Sequence, residues 1–269
     1  KEKLTQLSQA THILSLSATP IPRTLHLALS PLKNISLLTD PLRGRHNIIT
    51  TVKPWNTTTI QQACDYEISR GGQIYYLHNK VETIELAAKD LQQLLPKARL
   101  AIAHGQMDDK KLATTMHAFD QGEIDVLVCS TIISNGLDLP NVNTIIINDA
   151  ANFGLSQLHQ LRGRVGRSDR QAYCYLLHRE QKLQGDALER LRTLADTNEL
   201  GAGFRIASRD MELRGVGQII GNRQHGHLRT IGLNLYEDLL QAAVDDLQHR
   251  HRAQWGDIDF DLPLNQSTS

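Results

Sequence analysis

The segment Gln160-Leu-Arg-Gly-Arg-Val-Gly-Arg167 gathers the residue types best suited to holding an anion. Arg162, Arg164 and Arg167 fall within one short run, separated by Gly163 and Gly166. Guanidinium groups stay charged at any working pH and present planar, paired donors that match phosphate oxygens. Glycines between them let the backbone turn tightly and approach a ligand closely. The preceding residues, Gln157 to Arg162, fit a helical turn, so the arginines would project from a helix and from its end. A cluster of this kind also occurs on plain solvated basic faces. Its meaning depends on whether its neighbours belong to phosphate-handling machinery.

A second stretch with chemical potential is Ser130-Thr-Ile-Ile-Ser-Asn-Gly-Leu-Asp-Leu-Pro140. Thr131, Ser134 and Asn135 supply short hydrogen-bonding groups, Gly136 permits close backbone approach, and Asp138 can accept from a ribose hydroxyl. A loop with an N-cap serine would contain the same residue types. Two shorter polar segments, His78-Asn79 and His104-Gly-Gln-Met107, also follow apolar runs.

Apolar periodicity gives the elements that must position these groups. Asn47–Val52, Gln73–Leu77, Arg99–Ala103, Asp125–Cys129, Thr144–Ile147 and Ala172–Leu177 read as strands. Thr59–Arg70, Val81–Leu95 and Asp108–Phe119 read as helices, the first two stopped by Gly71-Gly72 and Pro96. Strands alternating with helices predict an α/β fold: a parallel sheet covered by helices on both faces. Ligands of such sheets lie outside the carboxyl ends of the strands, where the polar segments fall. Before Asn47, His12–Ser17 reads as a strand and Arg23–Ser30 as a helix. After Lys182 the character changes to a helical module: a charged helix Leu183–Asp196, a helix Phe204–Leu213, the glycine-rich Arg214–Gly221, and a helix from Leu233 to about Arg250.

Composition narrows the classes. With 269 residues, 40% of them hydrophobic, the chain can form one large or two ordinary cores. Acids and bases balance at 29 each, so nucleic-acid contact would come from local patches rather than bulk charge. Cys64, Cys129 and Cys174 have no metal spacing and read as reduced and buried. The chain carries no long apolar stretch and no signal-peptide pattern, so the expectation is a cytoplasmic protein without a membrane. The absence of an initiating methionine fits a fragment, expected to be monomeric. His225 and His227 lack partner ligand spacing, and the expectation is no metal site on this chain. Tyr75, Tyr76, Tyr173 and Tyr175 read as core residues of strands rather than base-stacking platforms. Ser156 and His159 lack a nucleophile-elbow pattern.

Taken together, the loop, the arginine run and the parallel sheet resemble motifs V and VI of superfamily 2 helicases. Ser17-Ala-Thr19 then resembles motif III, and Ile74-Tyr-Tyr-Leu-His-Asn79 motif IV. Leu16–Leu25, Ala103–Met107 and Phe153–Ser168 narrow the resemblance to the DNA translocases typified by the RecG branch-migrating helicase and the bacterial transcription-repair coupling factor, Mfd. Leu200-Gly-Ala-Gly-Phe to Asp210-Met-Glu-Leu-Arg-Gly215 resembles their translocation module, and Thr230–Leu240 is closer to the coupling factors. The resemblance runs from about Ile13 to Leu247.

It implies a RecA-like second motor lobe over 42–180, a remnant of the first lobe and linker over 1–41, the translocation module over 181–250 and the start of a C-terminal domain over 251–269. It implies ATP and Mg²⁺ as cofactors and double-stranded DNA as partner. For the full-length protein it also implies RNA polymerase and excision-repair proteins. By family position, Arg164 and Arg167 are arginine fingers. Gln160, Gly163, Gly136 and Asp138 would meet the nucleotide. Thr131, His104, Gly105, Ser134 and Asn79 would meet DNA. Arg214, Gln224 and Thr19 would couple the lobes to translocation.

No Gly-x-x-x-x-Gly-Lys-[Ser/Thr] run and no Asp-Glu-x-His box occurs. In the resembled family these lie upstream and hold phosphates, Mg²⁺ and the attacking water. The chain alone is therefore expected to hydrolyse no ATP and move no DNA. Ser134 and Asn135 stand where the family usually has an acid and a threonine. Gln218 replaces a glutamate, and Asn222-Arg223 an acidic pair. The rival readings are a fragment of a RecG-like fork helicase and a non-catalytic module binding nucleic acid or a protein partner.

Overall fold

A computed structural model describes residues 36, 46–131, 139–179, 185–197, 203, 205, 206, 209 and 210. Its centre is a six-stranded, all-parallel sheet. The strands are β1 (Ile49–Pro54), β2 (Gln73–Leu77), β3 (Leu100–Ala103), β4 (Val126–Cys129), β5 (Val142–Ile147) and β6 (Tyr173–His178). Their order across the sheet is β1-β6-β5-β2-β4-β3. The helices among the described residues are α1 (Thr57–Ser69), α2 (Ile84–Leu94), α3 (Asp109–Asp120), α4 (Leu155–Arg162) and α5 (Asp186–Asp196).

Every residue of β2, β4 and β5 is buried, as expected of interior parallel strands sandwiched between two layers. β1, at the edge, is mostly half-exposed or exposed and ends in Pro54, which donates nothing to a further strand. Side chains alternate between two cores. Leu77, Leu127, Ile145, Ile147, Cys174 and Leu176 face one, together with the leucines of α4 and α5. Ile74, Tyr76, Val126, Val128 and Ile146 face the other, packed with Ile60, Ala63 and Cys64 of α1 and Ile84, Ala88 and Leu91 of α2. All three cysteines are buried free thiols, and burial pushes Cys64 up to about 12.

Local sequence explains the element ends. The Asn56 side chain accepts from the Thr58 N–H at 2.7 Å, and Asp108 accepts from Lys110 and Lys111, capping α1 and α3. Gly71 stops α1 at a φ of 74°. The single helix read from Val81 begins instead as a 3-10 turn, Val81–Thr83, before α2. Most of the helix expected at Phe204–Leu213 lies outside the described residues, as do the first-lobe strand and helix, the glycine-rich segment and the helix from Leu233.

The chain leaves β2 and β5, neighbours in the sheet, in opposite directions. From β2 it crosses by α2 towards β3, and from β5 by α4 towards β6. This is a topological switch point, the usual place for a binding crevice in an open α/β sheet.

Candidate functional site

Two groups of residues stand apart in this fold. The first lies along the carboxyl ends of three adjacent strands. Register pairs Leu77 with Cys129 and Ala103 with Cys129, so β2, β4 and β3 end level. Asn79 follows β2 and is exposed. Thr131 follows β4 and is half-exposed. His104 and Gly105 follow β3. Adjacent strands are spaced ~4.8 Å apart, so these groups span roughly 10 Å of one edge. Backbone bonds hold the edge level: His78 N–H donates to Cys129 O at 2.8 Å, and Ser130 N–H to Ala103 O at 3.2 Å. The turn after β3 is braced internally. His104 N–H donates to Met107 Sδ at 3.4 Å, Gln106 N–H to His104 Nδ1 at 3.3 Å, and Met107 N–H to His104 O at 3.1 Å.

The second group is the arginine run at the end of α4. Leu155, Leu158 and Leu161 are buried and fix this short helix against the sheet. Gln160 is exposed on its last turn and Gly163 is its exposed C-cap. Val165 is buried and anchors the turn that follows. Gly166 adopts a φ of 74°, and a Cβ there would lie 3.2 Å from Ala172 Cβ and Ile48 Cγ1. Only glycine fits that left-handed, close-packed position without strain. Ser168 Oγ donates to Asn143 Oδ1 at 2.8 Å, and Arg170 donates to Arg70 O at 2.9 Å. The run therefore heads for the amino ends of β1, β5 and β6, away from the edge that carries Asn79, Thr131 and His104.

The three arginines do not act alike. Arg162 was read as projecting with the other two, but it is 4% exposed and turned inward. Its Nη1 donates to Leu194 O at 2.7 Å and Thr197 O at 2.8 Å, the carbonyls at the end of α5, and reaches Thr50 Oγ1 at 3.5 Å. A guanidinium suits that place because the last carbonyls of a helix lack intrahelical partners and carry its negative end. His159 Nδ1 lies 3.2 Å from Arg162 Nη2. Burial, and then the Arg162 charge, push His159 down to about 4. Ser156 donates to the buried Asp210 carboxylate at 2.8 Å, so α4 is tied to the downstream residues at two points.

Arg164 and Arg167 are half-buried. Arg164 Nε is buried without a hydrogen-bond partner. Burial pulls Arg164 below its ordinary value, and the charge of Arg167 acts in the same direction. Both guanidiniums also act on the buried phenol of Tyr75, which burial otherwise pushes far up. Two cations held close together, one with an orphaned donor, form an arrangement that a phosphate anion would satisfy.

The sequence also missed Tyr75 as a neighbour of the arginines, and the pairing of His78 with Asn148. The polar end of the run Thr144–Ile147 was the available signal for Asn148. Gly136, Asp138, Ser134, Arg214, Gln224 and Thr19 lie outside the described residues. Among the described residues, no group of His, Cys, Asp and Glu is placed to hold a metal ion, and no helix is long and apolar enough to cross a membrane.

This architecture matches known proteins. The helicase conserved C-terminal domain family matches residues 55–169. The transcription-repair-coupling factor of Escherichia coli K12 is 47% identical over 249 residues, 92% of this chain and 22% of that protein. That of Staphylococcus aureus USA300 is 45% identical over 268 residues, 98% of this chain and 23% of that protein. Residues 55–169 thus match a helicase C-terminal domain, and over most of its length the chain is similar to the transcription-repair-coupling factors. Its helicase lobe has the RecA-like fold. A solved structure of RecG bound to a three-way DNA junction is similar at a TM-score of 0.65 and 31% identity, over 84% of this chain and 30% of that one. A Mycobacterium smegmatis helicase, Lhr, bound to single-stranded DNA and AMP-PNP has the same fold, at a TM-score of 0.54 and 17% identity. The chain spans about a fifth of the length of the coupling factors it matches.

Proposed function

We propose that this helicase lobe is the second motor lobe of an ATP-driven translocase on double-stranded DNA, one that couples transcription to nucleotide excision repair by displacing stalled RNA polymerase. The observation that carries the reading is the separation of two phosphate-suited groups on one rigid sheet. Arg164 and Arg167 sit behind α4, and Asn79, Thr131, His104 and Gly105 lie along the opposite end of the strands. A motor needs this division, because the fuel and the track must be gripped by different surfaces of one body. The identity of 45–47% to the coupling factors favours this reading over a RecG-like fork helicase, for which the identity is 31%.

Arg164 and Arg167, with Gln160 and Gly163, would meet the phosphates of ATP, and the orphaned Nε of Arg164 fits that anion. ATP with Mg²⁺ supplies the phosphoryl group whose transfer drives the motor. The arginines stabilise charge on the transferring group as preorganised cations, and half-burial strengthens each contact relative to water. Gly136 and Asp138 complete the nucleotide set in this proposal. Asn79, Thr131, Ser134, His104 and Gly105 would track DNA phosphates without reading sequence. Residues 1–41, 42–180, 181–250 and 251–269 would be the first-lobe remnant, second lobe, translocation module and start of a terminal domain. Within the module, Arg214 and Gln224, together with Thr19, would relay lobe movement to the DNA.

The phosphate loop and acidic box are absent from these 269 residues. The chain alone is therefore proposed to be inactive, and a cytoplasmic, monomeric state is part of the same proposal. Arg164→Ala and Arg167→Ala in the full-length motor test the reading. DNA-stimulated ATP hydrolysis should fall by roughly 10³ or more while nucleotide binding persists. Unchanged hydrolysis in both variants would show the arginines to be a solvated face.

A further inference from the structure

His78 and Asn148 follow β2 and β5 directly, at level positions on the two sides of the switch point. The His78 imidazole is engaged at both nitrogens. Nδ1 lies 3.2 Å from Asn148 Nδ2, and Nε2 lies 2.8 Å from Thr83 Oγ1. The Thr83 hydroxyl donates to Lys80 O at 3.4 Å, and the Thr83 N–H donates to the same carbonyl at 3.2 Å. A hydroxyl whose proton goes to Lys80 accepts from His78, so the network assigns the ring proton to Nε2 and makes Nδ1 an acceptor from the Asn148 amide. The loop from His78 to Thr83 is thus strapped across its middle by a neutral imidazole. Asn79 is its exposed tip.

Asn148 is 6% exposed, and its Oδ1 has no hydrogen-bond partner. A buried carbonyl oxygen left without a donor is costly to the fold. The strand before it, Val142–Ile147, is buried throughout. The Asn148 side chain bonds to His78 through Nδ2.

We propose that Asn148 and His78 are positioning residues that hold Asn79 ready for DNA, and that the loop is in its binding arrangement only while the imidazole is neutral. This rests on the reading of the carboxyl edge as the DNA face. Protonation would place a second ring N–H against the Asn148 amide N–H₂, two donors facing each other, so the strap would be lost in its present form and the Asn148 amide would have to turn over to offer Oδ1 instead. The charged groups around the ring are Asp149 at the end of β5, Lys80 in the loop and Arg179 beyond β6. Burial keeps His78 below its ordinary value; Asp149 opposes this, and Lys80 and Arg179 reinforce it. At neutral pH the strap is therefore closed.

Binding of this chain to a fluorescein-labelled duplex, followed by anisotropy from pH 5.5 to 8, tests the proposal in wild type, Asn79→Ala, Asn148→Leu and Asn148→Asp. NMR of the His78 ring nitrogens reports the tautomer in each. Wild type should bind several-fold more weakly once His78 protonates. Asn148→Asp places a carboxylate against Nδ1 and favours the imidazolium, so the loss should begin about one pH unit or more higher. Asn148→Leu keeps the size but removes the strap, and should weaken binding at every pH about as much as Asn79→Ala. If acidification tightens binding, as an added cation alone would, or if Asn148→Asp leaves the transition in place while Asn79→Ala still weakens binding, the proposal is wrong and the DNA face stands. If Asn79→Ala or wild type shows that the edge does not bind duplex at all, the reading of the face falls and takes the proposal with it.

Discussion

Arg162 stands two residues from Arg164 in the chain, yet it serves the fold rather than the nucleotide. Its bonds to Leu194 O and Thr197 O leave His159 as the group that must stay neutral beside it. This gives a pH dependence with a definite sign. The folded value of His159, about 4, lies below the ordinary value of 6.5, so the unfolded chain binds the proton more readily between these limits. The contribution is fully present above pH 6.5 and is lost as pH falls towards 4, amounting to at most about 3 kcal/mol. Urea unfolding of wild type and His159→Gln at pH 7, 5.5 and 4.5 measures it. The stability difference between the two should change steadily in favour of the variant as pH drops, and a constant difference would show that His159 is not buried against Arg162. The arginine run was legible as chemistry from residue type and spacing. Which of its members turned inward was not, because that depends on α5, a helix more than twenty residues further along.

At the scale of elements, the interior strands were readable because β4 is a continuous apolar run and β2 and β5 hold apolar stretches, Ile74–Leu77 and Ile145–Ile147, bounded by glycine, proline or polar residues. β1 and the start of α2 were read less sharply, since an edge strand need not be apolar and a 3-10 turn has the composition of a helix start. One junction depends on a residue that periodicity reads only as a stop signal. Gly72 lies against Glu67, which is fully buried within α1. Glu67 takes Arg70 Nη2 and Thr144 Oγ1 each at 2.5 Å, and Arg70 Nε at 3.1 Å. A Cβ on Gly72 would fall 1.7 Å from Glu67 Oε1. A free carboxylate could swing aside, but this one is pinned on both oxygens. Gly72→Ala should therefore break the buried ion pair and destabilise the lobe by roughly 3 kcal/mol or more. Thermal and urea unfolding check this, and a loss below about 1 kcal/mol would mean that Glu67 finds another buried arrangement. The Arg70 guanidinium also lies over the rings of Tyr66 and Tyr173, at 5.2 and 5.4 Å from their centroids, so the same substitution would loosen α1 from β6.

The whole molecule adds what neither scale contains, the order of the strands. Chain order places β3, β4 and β5 in succession, but the sheet inserts β2 between β4 and β5. That insertion puts Asn79 beside Thr131 and His104 on one edge, and it brings Tyr75 of β2 within reach of the charges of Arg164 and Arg167. Local pattern cannot specify it, because the interior strands bury side chains on both faces and so resemble one another in sequence. The separation has a consequence for energetics. Groups further apart than about 7–10 Å with no shared partner contribute additively to binding. Asn79→Ala should weaken duplex binding and leave nucleotide affinity unchanged, and Arg167→Ala should spare duplex binding. In the double variant of the full-length motor, duplex affinity should equal that of Asn79→Ala and nucleotide affinity that of Arg167→Ala. DNA-stimulated hydrolysis should behave differently, because it requires both surfaces at once. With Arg167 already replaced, hydrolysis should be so low that losing Asn79 reduces it little further. Titrations of duplex and of a non-hydrolysable ATP analogue, beside steady-state turnover, give all four corners of the cycle. Additive binding with non-additive turnover is the signature of one rigid lobe joining two separate grips. Coupling of more than about 1 kcal/mol in binding alone would mean that both residues bear on one shared site.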